Sequence, residues 1–242
     1  MRIVVVSPPR SGNHWVKCLL GQVYGLEWRG GNQKPATRAA GFREDVALGG
    51  FPDGAIMHQH CRYSRKLADE FERLPAHVVS VVRDPYDTFV SYYHWVQVRK
   101  PQDEAAAEKA AGRPRSAMLG KPIDDPEVLD YLSGEFGANL AKGDSWLASG
   151  RSLVVRFEDL NREPVAALAA LTDQIAPVDR AALERAIAAC NVENVKQERK
   201  KLALTVRGGR VGDSRQTLGP AHLTLFRERH ADLIERLGYE VR

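Results

Sequence analysis

Four short apolar runs, each cut off by a turn or a helix signal, constrain this chain more than any other feature. They are Ile3–Val6, Ala55–Met57, Val78–Val82 and Leu153–Val155. Runs of this length suit buried strands. Helical spacing occupies about His14–Tyr24, Ser64–Arg73, Pro85–Val98, Pro126–Leu147, Pro164–Ile175, Asp179–Ala189 and Pro220–Leu237. Strands alternating with helices predict an α/β fold: a central, mostly parallel sheet flanked by helices. The 242 residues suffice for one such domain with a real core, so 1–242 is read as a single domain. Two stretches interrupt the pattern, 29–54 and 99–125, rich in polar residues, glycine and proline. Long irregular loops are either functional or surface excursions. Both are read as flexible walls over a site.

The first apolar run breaks into "SPPRSGNHW". Gly12 permits a sharp turn, and a helix resumes at about His14. Free amides at a helix start attract anions. Arg10 adds a forked cation, and Ser11, Asn13 and His14 add short polar groups. The pattern outlines a phosphate or sulfate cradle, or a plain strand-to-helix turn. It is no Walker A loop, which requires GxxxxGK[ST]. In the second element, "VVRDPYDTFVSYYHW", a strand ends at Arg83, and Asp84 precedes Pro85 as cap and first helical position. Tyr86, Phe89, Val90, Tyr93 and Val96 then form one stripe, with Asp87, Ser91 and His94 on its flank. Ligands of open α/β sheets lie beyond the strand ends. Arg83 and Ser91 are therefore either a second anion site or, with Asp87, a structural clamp and an ordinary helix hydroxyl.

The formal net charge of +4 suits an anionic small ligand. Basic residues are spread along the chain without an RNA-binding signature, so no nucleic-acid partner is expected. The densest basic run, Lys196–Lys201, reads as a solvated helix face. No apolar stretch approaches the ~18–20 residues of a membrane span. The N-terminal run is too short for a secretory signal, and the expected location is cytoplasmic. The scattered Cys18, Cys61 and Cys190 are expected to be reduced thiols.

Taken together, the motifs resemble those of sulfotransferases that use 3'-phosphoadenosine 5'-phosphosulfate (PAPS) and release the desulfated nucleotide PAP. "SPPRSGNHW" resembles the family's 5'-phosphosulfate loop, and "VVRDPYDTFVSYYHW" its 3'-phosphate segment. "LVVRFEDLNREP", "RGGRVGDSRQTL" and "ERLGY" are similar to later family segments, in family order. The resemblance implies a cytosolic-type member, of bacterial origin, with a P-loop-NTPase-like fold and PAPS as cofactor. It places Arg10, Ser11, Gly12, Asn13, His14 and Trp15 around the 5'-phosphosulfate. Arg83, Ser91, Arg207 and Gly209 fall at the 3'-phosphate. In "AIMHQHC", His60 takes the place of the catalytic histidine and His58 that of a lysine. His60 is then the general base and Arg10 the electrophile at the leaving group.

His58 and His60, two apart on a strand, share a face. Plain surface or core histidines and a metal pair are the competing readings; no third ligand with convincing spacing appears, and no metal is expected. The expected reaction is in-line transfer of a sulfuryl group to a hydroxyl or amine of a small-molecule acceptor. Trp28, Phe51 and Trp95 are either pocket walls or core. The alternatives are a nucleotide-binding protein of the same fold without catalysis, and a P-loop kinase.

Overall fold

The computed structural model describes residues 1–29, 50–98, 117–191, 194 and 209–242. Five strands form one parallel sheet: β1 (Arg2–Val6), β2 (Glu27–Trp28), β3 (Ala55–Gln59), β4 (Ala76–Val82) and β5 (Leu153–Arg156). Their order across the sheet is β2-β3-β1-β4-β5. β1 pairs with β3 on one side and β4 on the other; the chain fills the β2–β3 side first and then crosses to β4 and β5, so the switch point lies between the ends of β1 and β4. A crevice opens at such a switch point. The first loop therefore stands where the topology places ligands.

Both faces of β1 are covered, which explains its unbroken apolar run. Ile3 and Val5 pack with Val16, Leu19 and Leu20 of α1 (Asn13–Tyr24). Val4 and Val6 pack on the other face with Phe51, Phe71 and Trp146. Each such side chain, fully buried, stabilises the fold by about 1.5–3 kcal/mol. A third cluster joins α3 (Pro85–Gln97) to later helices through Tyr86, Phe89, Phe136 and Phe226. It buries the whole predicted stripe from Tyr86 to Val96.

The remaining helices are α2 (Arg65–Arg73), α4 (Pro126–Ser133), α5 (Glu135–Ser149), α6 (Phe157–Arg162), α7 (Pro164–Thr172), α8 (Arg180–Ala189), α9 (Ser214–Thr217) and α10 (Pro220–Arg236). The helix expected over Pro126–Leu147 is two, broken at Gly134, which leaves helical angles. Helix α6, absent from the helical stretches read in the sequence, follows β5 directly. No helix among the described residues is long and apolar enough to cross a membrane.

One expectation is overturned. Cys18 and Cys190 form a disulfide across 172 residues, and only Cys61 is a free, buried thiol. The reason is tertiary: α1 and α8 pack side by side, bringing Cys18 to the end of α8. Spacing along the chain carries no trace of that proximity. A cross-link closing so long a loop contributes about 2–4 kcal/mol.

The described ends of the two polar stretches are docked rather than free-standing. Phe51 is buried, and the Gly54 amide donates to the Met1 carbonyl. Met118 is fully buried, and Gln97 and Tyr93 donate to the carbonyls of Met118 and Lys121. The other residues of 29–54 and 99–125 lie outside the described residues, as does the Lys196–Lys201 run.

Candidate active site

Ser7 anchors the exit of β1 to both neighbouring strands. Its hydroxyl accepts from the Val81 amide at 2.8 Å, and its own amide donates to the Gln59 carbonyl at 3.3 Å. The chain then turns through two left-handed residues, Arg10 (φ 73°) and Gly12 (φ 105°). Gly12 is required twice over. A Cβ there would lie 2.6 Å from the Phe157 ring, in a backbone region that side chains avoid. Arg10 holds the same region at a cost, and two contacts keep it there. Its carbonyl accepts from Arg83 Nη1 at 3.0 Å, and its Nε donates to Ser91 Oγ at 3.2 Å.

Among the described residues no side chain caps the N-terminus of α1, and no acidic residue lies in its first turn. Its amide dipoles therefore face the loop uncompensated. This is the electrostatic half of an anion cradle.

The histidines supply the other half. His60 Nδ1 lies 2.9 Å from the Ser7 carbonyl. A carbonyl only accepts, so Nδ1 carries the proton and Nε2 keeps its lone pair. Asn13 Nδ2 donates to the Pro8 carbonyl at 3.1 Å, fixing the loop, and passes 3.4 Å from His60 Nδ1 as donor to donor, without a bond. Burial lowers the His60 pKa to about 4 against the opposing Ser7 bond, with Lys142 and Arg10 adding to the fall. His58 and His60 meet edge to face at 5.3 Å between ring centres, and His14 meets His58 at 4.7 Å. Burial, then Lys17, His14 and His60, hold His58 down to about 2. The shared face expected for His58 and His60 is present. Among the described residues no group of three or more His, Cys, Asp or Glu is placed to hold a metal.

Arg83 is buried at 9% exposure. Its fork bridges two loops, donating to the carbonyls of Arg10 and Arg210 at 3.0 Å each. The guanidinium lies 4.4 Å from the centre of the Phe157 ring. Its Nε has no partner among the described residues. Burial pulls its pKa down while Asp87, Glu158, Asp84 and Asp213 oppose, and a guanidinium keeps its charge throughout. Asp87 is not tied to Arg83 as a clamp. It accepts from the Gly212 amide at 2.6 Å and the Ser214 amide at 2.9 Å, holding the C-terminal loop closed. Asp84 caps α3, accepting from the amides of Tyr86 and Asp87.

The structure thus gathers Arg10, Ser11, Gly12, Asn13, His14, Trp15, His58, His60, Arg83 and Ser91 around the ends of β1, β3 and β4. Gly209 joins them through its carbonyl, which accepts from Asn161 Nδ2, and its backbone lies near Phe157. Arg207 lies outside the described residues. Of the three aromatics weighed as pocket walls, Phe51 is a buried core residue, and Trp95 and Trp28 each pack against a core cluster while partly exposed; Trp28 also borders His14 at 6.4 Å.

Two residues escaped sequence reasoning. Phe157 underlies the whole site, touching Trp15 edge-on at 5.7 Å as well as Arg83 and the Gly12 position. Lys17 is 2% exposed, its Nζ 3.3 Å from His58 Nδ1 and 4.1 Å from the centre of the Trp28 ring. Its signal was present: a lysine one turn after His14, among the buried Val16, Leu19 and Leu20.

Comparison with known proteins bears on this geometry. Among solved structures, mouse sulfotransferase SULT7A1 complexed with PAP superposes with a TM-score of 0.69 at 18% identity, covering 96% of this chain and 83% of that one. Retinol dehydratase in complex with androsterone and inactive cofactor PAP gives 0.64 at 13%, covering 100% and 82%. At these identities the likeness establishes the fold. A search of curated proteins found no match. The family model for the sulfotransferase domain matches residues 51–238, from the approach to β3 to the end of α10. That span contains His58, His60, Arg83, Ser91 and the C-terminal loop, and the chain belongs to the sulfotransferase domain family.

Proposed function

We propose that the chain is a PAPS-dependent sulfotransferase acting as one domain over 1–242, with a small-molecule hydroxyl or amine as acceptor. The observation that carries this reading is the His60 tautomer. A neutral imidazole, its Nδ1–H held by Ser7, stands beside an uncapped helix N-terminus. A base and an anion cradle in one turn are what in-line transfer to a hydroxyl demands.

The residues fit the nucleotide. Arg83 Nε and Asn13 Oδ1 are buried polar atoms without partners among the described residues, and Gly12 allows close backbone approach. Ser11, Gly12, Asn13, His14 and Trp15 would hold the 5' end. Arg83 and Ser91, with Gly209 and Arg207, would hold the 3'-phosphate. When bound, PAPS supplies the sulfuryl group and a phosphate leaving group. Arg10 neutralises charge at the leaving oxygen, and His60 Nε2 takes the acceptor's proton as the acceptor oxygen or nitrogen bonds to sulfur. Burial keeps His60 unprotonated through the neutral range, and anionic groups bound nearby raise its proton affinity when it must act. The retinol dehydratase complexes contain androsterone or retinol. Alcohols of that kind are the first acceptors to test.

The test is His60→Ala. Turnover of PAPS with a responsive acceptor falls about 10²–10⁴-fold while PAP affinity holds. In the wild type, kcat/KM stays flat from neutral pH down to about pH 4, the free-enzyme pKa of His60. Full activity in His60→Ala, or a kcat/KM that breaks at an ordinary histidine value, removes His60 from the reaction.

A further inference from the structure

The deepest cation of the site is Lys17, and none of the roles assigned so far uses it. Its Nζ, an obligatory donor when protonated, lies 3.3 Å from His58 Nδ1. The Trp28 ring, on the edge strand β2, holds the ammonium from one side at 4.1 Å. An ammonium that donates to Nδ1 forbids a proton there. The single proton of a neutral His58 must then sit on Nε2.

We infer that Lys17 is a positioning residue of the sulfuryl-transfer site. Its ammonium locks His58 as a neutral imidazole that presents Nε2–H as a fixed, polarised donor within the His14–His58–His60 cluster. The inference rests on the sulfotransfer reading above. Within it, the pair delivers a buried positive charge to the reacting region through a ring that never itself ionises. The two histidines, His58 on β3 and His60 just past its end, thereby divide the work by tautomer. His60 holds its proton on Nδ1 and offers a lone pair at Nε2. His58 accepts at Nδ1 and offers a proton at Nε2. Donor and acceptor, two residues apart on one face, match a reaction that takes a proton from the acceptor while charge shifts among sulfuryl oxygens.

The groups that face His58 are Lys17 and His14 from α1 and His60 from the end of β3, all of which oppose its protonation. Replacing Lys17 with Met removes the nearest of them. Nitrogen-15 NMR of the imidazoles in the full chain reads the result without any need for turnover. Wild type is expected to show His58 protonated at Nε2 only, unchanged from pH 8 to 5. In Lys17→Met, burial still keeps His58 neutral, but its single proton is free to move to Nδ1. Turnover falls about 10–100-fold, less than or similar to the loss of a direct donor, while PAP affinity stays within about threefold. Lys17→Arg, which keeps the charge, restores the tautomer and part of kcat.

A proton on His58 Nδ1 in the wild type overturns the inference, even if Lys17→Met does not fold. So does a folded Lys17→Met with an unaltered His58 tautomer and kcat. A wild type that binds PAP yet transfers no sulfuryl group to any acceptor overturns the functional reading. The NMR result then still decides the Lys17–His58 contact by itself.

Discussion

Two strand-to-helix turns stand side by side in this molecule, and they solve the same problem in opposite ways. The turn from β4 into α3 is closed. Asp84 accepts from the amides of Tyr86 and Asp87, and Pro85 fills the first helical position, where an amide would be unneeded. The turn from β1 into α1 is open. It has a left-handed Gly12 instead of a cap, and no acid in its first turn. At the closed turn the positive potential rests on a side chain, Arg83, fixed by two backbone carbonyls. At the open turn it rests on the backbone itself. On the proposed reading, PAPS, anionic at both its 3' and 5' ends, would meet a side chain at one end and backbone amides at the other. Backbone amides need close approach, whereas an arginine reaches across a gap. The Arg10–Ser91 bond shows that the two turns also communicate.

The comparison breaks most easily at Arg83. Arg83→Met removes two charge-assisted hydrogen bonds and is expected to weaken PAP binding about 100-fold. Adenosine 5'-phosphate, which lacks the 3' group, should lose much less. Equal losses by calorimetry would mean that Arg83 only braces the loops. Next comes Gly12→Ala, which forces a Cβ into a left-handed position and against Phe157. It should cost about 2 kcal/mol of stability, visible in thermal unfolding, and weaken both nucleotides alike. A variant that discriminates between them would place the open turn at the wrong end of the ligand. The smallest effect belongs to Asp84→Ala. Loss of the cap costs about 1 kcal/mol, a Tm shift of about 2–4 °C, with nucleotide affinity nearly unchanged. A large drop in affinity would show that the closed turn is not merely structural.

Much of this was legible in the chain because it depends on local chemistry. The run Ile3–Val6 names a strand covered on both faces. Ser64, Asp84 and Asp179 mark helix starts that the structure caps with those side chains. The "SPPRSGNHW" loop and the two histidines could be singled out because a glycine, a cation and a shared strand face are properties of short stretches. Asp87 shows the limit. A pairing with Arg83 was one reading of its position four residues on, yet its oxygens hold amides more than 120 residues away.

The sequence by itself determined the alternation of strands and helices, the place of the first loop and the identity of its polar groups. Each follows from side-chain periodicity and backbone preference over a few residues. Only the tertiary structure decided the proton on His60, the approach of Lys17 to His58, the Phe157 platform and the Cys18–Cys190 bond. All four depend on which distant segments come to lie within a few ångströms of one another. That is fixed by packing across the sheet, and no local pattern encodes it.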